Sequence, residues 1–154
     1  MSFSEDLEYG KKGEIVARHI LESSQKIRAV IDCSDDKFFQ SKDIDYLAEQ
    51  TDGRILKCEV KTDRLAHRTG NIAWEKTTCG NIGCLEKTIA DVIFYYLSEN
   101  QRMYIFAPSP VKRYIATANL NEIRMGDGAT GYLLKIQELM NKQLIREVKH
   151  GQLD

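Results

Sequence analysis

Hydrophobic positions along the chain change period several times, and each change marks an element. Over "LEYGKKGEIVARHILESS", Val16, Ile20 and Leu21 recur at helical spacing beside Ala17, while Glu14, Arg18 and Glu22 keep to another side. That spacing predicts an amphipathic first helix. "KIRAVIDC" follows with a short strand-like apolar centre, and "FFQSKDIDYLA" leads into a second strand, where Ile44, Tyr46 and Ala48 are expected to oppose Asp43 and Asp45. Asp52-Gly53 supplies turn chemistry before "RILKCEVKT". There the alternation puts Leu56, Cys58 and Val60 on one face and Lys57, Glu59 and Lys61 on the other. One face is core; the other meets water or carries chemistry.

"NIAWE" reads as a further strand, with Trp74 as its core residue. Ile89, Val92, Ile93, Tyr96 and Leu97 then recur as i, i+3, i+4, i+7 and i+8, which predicts an amphipathic helix with Lys87, Asp91 and Tyr95 on its polar side. "RMYIFA" is expected as a strand, Pro108 and Pro110 open a helix or turn through "VKRYIATANLNEI", and "GDGATG" interrupts the chain. "QELMNKQLIREVKH" predicts a closing basic helix. The order describes an α/β domain, a mixed sheet covered by helices.

Composition adds bounds. A chain of 154 residues, 42% hydrophobic and 29% charged, is ordinary for one globular domain. Its formal charge of −1 means that any nucleic-acid contact would come from local patches rather than the field of the whole chain. No apolar run approaches the roughly 20 residues of a membrane helix, and the acidic, polar start "MSFSEDLEYGKKG" is unlike a signal peptide, so a cytoplasmic protein is expected. Cys33, Cys58, Cys79 and Cys84 are then expected as thiols. Cys79 and Cys84 bracket "GNIG" at a spacing that zinc sites use, but no second ligand pair stands at a signature spacing. His19 and His150 have no partner visible in the sequence.

The chemistry gathers on Asp45, Glu59 and Lys61. Directly opposed Cβ atoms on antiparallel strands lie about 4.5–5.5 Å apart, so Asp45 and Glu59 could share one divalent cation if the register pairs them. Two hard oxygen ligands suit Mg²⁺, which keeps several waters and completes its shell with substrate phosphate. Lys61, on the face of Glu59, would set a positive charge beside the charge developing on a phosphate. Two carboxylates brought together without a cation resist joint ionisation, so at least one is expected to titrate high. The plain alternative is a solvated strand face whose ion pair contributes at most about 1 kcal/mol.

With "GE" at 13 and 14, "DIDYLA" at 43 to 48 and "CEVKTD" at 58 to 63, the chain resembles the PD-(D/E)XK nuclease superfamily. Its layout is similar to small Holliday-junction-resolvase-like and phage or mobile-element endonucleases. The resemblance spans residues 10 to about 107 of a single domain 1–154. It implies a restriction-endonuclease-like αβββαβ core, leaving 108–154 as a helical C-terminal extension.

For activity, the resemblance implies Mg²⁺-dependent cleavage of DNA, with Mn²⁺ substituting. Asp45, Glu59 and the backbone carbonyl of Val60 would be metal ligands, Lys61 the catalytic helper and Glu14 an extra acid. Glu75, on the following strand, would be a further acid near the metals. Ile44 stands where the family often carries Pro, and Asp43 rivals Asp45 as ligand. Glu14 could equally pair with Arg18 at i+4. Arg64, His67, Arg68 and Lys76 form a basic cluster suited to phosphate contacts, with Lys87 a further candidate unless it pairs with Asp91. Likeness to resolvases implies a homodimer. Against the nuclease stand two other classes: a nucleic-acid-binding module that keeps the fold without turnover, and an interaction domain whose acidic hairpin is solvated surface.

Overall fold

A computed structural model describes residues 3–149 of the chain. Helix α1 (Phe3–Ser23) carries Glu5 and Asp6 in its first turn, where acidic side chains suit the helix dipole. It buries Ala17, Ile20 and Leu21. Gly13 lets it approach the strand beneath, because a Cβ there would lie 2.2 Å from Thr62 Oγ1. The chain continues through β1 (Ile27–Asp32), α2 (Lys37–Gln40), β2 (Tyr46–Gln50), β3 (Ile55–Asp63), α3 (Ala66–Thr69), β4 (Asn71–Thr78), β5 (Asn81–Ile82) and α4 (Cys84–Lys87). Next come β6 (Val92–Leu97), β7 (Arg102–Phe106), α5 (Pro108–Thr117), β8 (Ile123–Arg124), β9 (Ala129–Lys135), α6 (Ile136–Asn141) and β10 (Arg146–Val148).

Six strands make a mixed sheet in the order β1-β2-β3-β6-β7-β10, in which β3 and β6 run parallel and every other pair antiparallel. A second, antiparallel sheet has the order β5-β4-β9-β8. Each face of the large sheet carries its own core. On one, Ala17, Ile20 and Leu21 of α1 meet Tyr46, Cys58, Phe94 and Tyr96. On the other, Ile93, Tyr95 and Leu97 meet Ile72, Trp74 and Leu134 of the second sheet. Trp74 is fully buried, as its alternation implied, and its indole N–H donates to Glu86 Oε2 at 2.8 Å.

Two expectations are corrected. Residues 89–97 contain no helix: Val92–Leu97 is β6, with Ile93, Tyr95 and Leu97 turned to one core and Phe94 and Tyr96 to the other. A strand covered on both faces is apolar at every position, so it satisfies helical spacing without being helical. Its short length and β-branched and aromatic content are the signals that decide. The αβββαβ order over 10–107 accordingly becomes α1, β1 to β3, an excursion through β4 and β5, then β6 and β7.

The second correction concerns 108–154. Pro108 does open α5, but no helical C-terminal extension follows: α6 ends at Asn141, Gln143 takes a positive φ of 57°, and β8, β9 and β10 are strands. β9 pairs with β4 and β10 with β7, so this segment completes both sheets. His150 lies outside the described residues. Among the described residues no helix is long and apolar enough to cross a membrane, and all four cysteines are free thiols.

Candidate active site

The site forms where β2 begins beside the middle of β3. Across the parallel junction Glu59 pairs in register with Ile93 and Lys61 with Tyr95, an interior strand position that leaves Glu59 only 1% exposed. A buried carboxylate needs partners. Thr88 Oγ1 donates to Glu59 Oε2 at 2.5 Å, and Lys61 Nζ lies 2.6 Å from Oε1. Each oxygen of the carboxylate thus meets its own partner, Oε2 a hydroxyl and Oε1 an ammonium. Burial pushes the Glu59 carboxyl above its ordinary range, with Lys61 and Thr88 opposing. Burial, the largest single influence, pulls the Lys61 ammonium down, but Glu59, Cys84 and Asp43 together outweigh it and the net direction is up. Lys61 keeps 28% of its side chain exposed and so reaches from the buried acid to solvent.

Asp45 precedes the first residue of β2 and is stapled from both sides. Its carbonyl accepts the Cys33 N–H at 2.8 Å, its N–H donates to Cys58 O at 2.9 Å, and its Oδ2 accepts the Val60 N–H at 2.7 Å. A side-chain carboxylate here takes the place of a ladder acceptor, which ends the regular pairing at Tyr46–Cys58. The expected alternation breaks at this point. Asp43 has φ 54°, Ile44 packs with Trp74 and Ile93, and Tyr46 and Ala48 pack on the α1 side, so Ile44 does not share their face. Burial raises the Asp45 pKa, the Val60 N–H and Lys61 oppose, and Asp43 and Asp32 add to the rise. Both carboxyls thus titrate high, through burial first rather than mutual repulsion.

Glu14 lies along a groove with Lys11, Arg18, Asp32 and Tyr46. Burial raises its pKa, followed by Asp45 and Asp32. Arg18 bonds forward to Glu22 at 2.8 Å and reaches Asp32 at 3.6 Å, which sets aside the Glu14–Arg18 alternative. Asp45 thus raises the Glu14 carboxyl and is itself lowered by Lys61. Val60, expected behind the acids, is half-buried and packs against the core beneath α1.

The remaining candidates separate. Glu75 is on the face of β4 turned away from Trp74 and accepts from Thr78 Oγ1 at 2.8 Å. Lys76 pairs with Glu122 at 2.9 Å. Lys87 pairs with Asp43 at 3.1 Å rather than with Asp91, which holds β3 by accepting the Lys57 N–H at 2.8 Å. Arg64, His67 and Arg68 do stay together, lining a groove with Tyr9, Thr62 and Glu99 past the end of β3. Arg64 there pairs with Asp6 and lies 4.6 Å over the Tyr9 ring. Cys79 Sγ donates to Asp127 O, whereas Cys84 packs against the core. Thr88 was missed in the sequence reading, since it stands far along the chain from Glu59 and has no periodic signal.

The donor set suits a hard cation. Glu59 Oε1 meets the Lys61 ammonium at 2.6 Å, and Asp45 spends Oδ2 on Val60, leaving Oδ1. Among the described residues no three His, Cys, Asp or Glu side chains converge as a ready-made cage. A Mg²⁺ ion, which takes one or two carboxylates and keeps its waters, needs none.

No protein-family model and no curated protein matches the chain. Among solved structures it is similar to a bacterial homing endonuclease, I-Ssp6803I, with a TM-score of 0.47 and 18% sequence identity over 82% of this chain and 76% of that one.

Proposed function

We propose that the protein is a divalent-metal-dependent endodeoxyribonuclease, using Mg²⁺ to hydrolyse DNA phosphodiester bonds. The observation that carries this is the Glu59 carboxylate, 1% exposed on an interior strand and paired with Lys61, with a second, half-buried acid, Asp45, hydrogen-bonded to the next residue of that strand, Val60. Stability does not explain it, because replacing a buried ion pair by apolar residues is often neutral or stabilising. Ionisable groups with shifted pKa values in such a setting mark sites of chemistry.

Asp45 and Glu59 would hold the ion, with the Val60 carbonyl and Glu14 as further oxygen donors. When bound, Mg²⁺ would polarise the phosphate and lower the pKa of a coordinated water. The chain's own residues supply the rest. Val60 N–H fixes the Asp45 carboxylate. Lys61, kept charged by its acid neighbour, sets a positive charge against the charge that develops on the phosphate oxygens. Arg64, His67 and Arg68 offer phosphate contacts that position a backbone without reading its sequence.

The test incubates supercoiled, linear, single-stranded and branched DNA with Mg²⁺ or Mn²⁺. Asp45→Asn and Glu59→Gln are expected to abolish cleavage, and Lys61→Ala to lower turnover by about 10²–10³-fold with metal binding retained. DNA affinity in Ca²⁺ should survive all three. Cleavage undiminished in Glu59→Gln would sink the assignment. A second reading, a DNA-binding module without turnover, draws on the Lys61 ion pair that already neutralises Glu59. Intact binding with no cleavage of any substrate would select it.

A further inference from the structure

We infer that Thr88 is a positioning residue for Glu59, a role that rests on Asp45 and Glu59 being the metal ligands. A hydroxyl has one proton to give and two lone pairs to offer. The Ala90 N–H donates to Thr88 Oγ1 at 3.1 Å, and the hydroxyl faces Glu59 Oε2 at 2.5 Å, so its proton is committed to that oxygen. The bond to Ala90 would by itself satisfy a turn after α4. The bond to Glu59 goes further, joining the α4–β6 connection to an acid on β3.

The two oxygens of Glu59 are thereby made different. Oε2 is taken by a neutral donor, while Oε1 faces the ammonium of Lys61. Thr88 is itself only 9% exposed. The preceding residue acts in parallel: Lys87 reaches Asp43 at 3.1 Å. Residues 87 and 88 thus grip the acidic hairpin at two points, one by charge and one by a directed hydrogen bond. Partners that orient a metal ligand are commonly worth about 10–100-fold in metal affinity.

The experiment compares the full chain as wild type, Thr88→Val, Thr88→Ala and Thr88→Ser. Calorimetric titration with Mn²⁺ should show affinity falling about 10–100-fold in the valine and alanine variants and returning near wild type in serine. Metal-free crystal structures should show the Glu59 carboxylate rotated away from its wild-type position in Thr88→Val or Thr88→Ala and unmoved in Thr88→Ser. The alanine variant serves if valine does not fold. Wild-type affinity in both hydroxyl-free variants, with Glu59 unmoved, would overturn the role. A wild type that binds no Mn²⁺ would instead remove the metal assignment, and the position of Glu59 in the metal-free variants would then decide the role of Thr88.

Discussion

Glu14, Asp45 and Glu59 share one direction of shift, and its sign has a consequence for stability. Burial leads in raising each carboxyl above its ordinary value. The unfolded chain gives up these protons near pH 4, whereas the folded chain keeps them to higher pH. Their contribution is complete below the unfolded value and is lost as pH rises through the folded one. Lys61 is also raised, so its contribution is lost only in the alkaline range and adds no slope near neutrality. Melting in EDTA is therefore expected to be higher at pH 5 than at pH 7, and the difference should shrink in an Asp45→Asn, Glu59→Gln double variant. A melting temperature that climbs from pH 5 to 7 would refute the shifts. The identities of Glu59 and Lys61 as a facing pair were legible, because alternation along β3 is regular. The orientation of Asp45 was not, because its side chain replaces a ladder acceptor and breaks the alternation at Ile44.

Among elements, β6 shows where periodicity stops being informative. A helix over 89–97 would put Tyr95 on a polar face; in β6 it is 4% exposed and its hydroxyl donates to Asp63 Oδ2. Asp63 Oδ1 meanwhile accepts from the N–H groups of Leu65 and Ala66 at 2.6 and 2.8 Å, opening α3. Tyr95→Phe is thus expected to leave a half-buried carboxylate oxygen without its donor, costing about 1–2 kcal/mol in urea unfolding. A neutral result would return Tyr95 to the surface that the helical spacing implied. The elements read correctly are those with local punctuation: the Asp52-Gly53 turn between β2 and β3, and Pro108 at the start of α5. Those misread depend on partners distant in sequence, as β10 does on β7 and β9 on β4. No window of the chain contains both halves of such a pairing.

For the whole molecule, the boundary drawn at 107 divides things that fold together. The resemblance over residues 10–107 captured α1 and the strands β1 to β3, but not what closes the sheet around them. Val111, Leu134 and Leu139 share a core with Ile93 and Trp74, and β10 covers the outer edge of β7. A 1–107 fragment would bare that edge and lose Val111, Leu134, Ile136, Leu139 and Ile145 from one core. It is expected to lack near-ultraviolet circular dichroism and a cooperative melt; a sharp melt would show that residues 108–149 are dispensable.

The pairing of Asn71 with Lys135 also has a meaning in time. Chains are made from the N-terminus, and contacts between distant segments form slowly because their loops must close first. While the chain is being made, Asp45, Glu59, Lys61 and Thr88 all emerge before β9, yet the sheet that covers their face cannot assemble until β9 arrives to pair with β4. The newborn chain therefore carries a complete set of site residues well before it carries a site. The arrangement of those side chains appears late and all at once, with the closing of the second sheet.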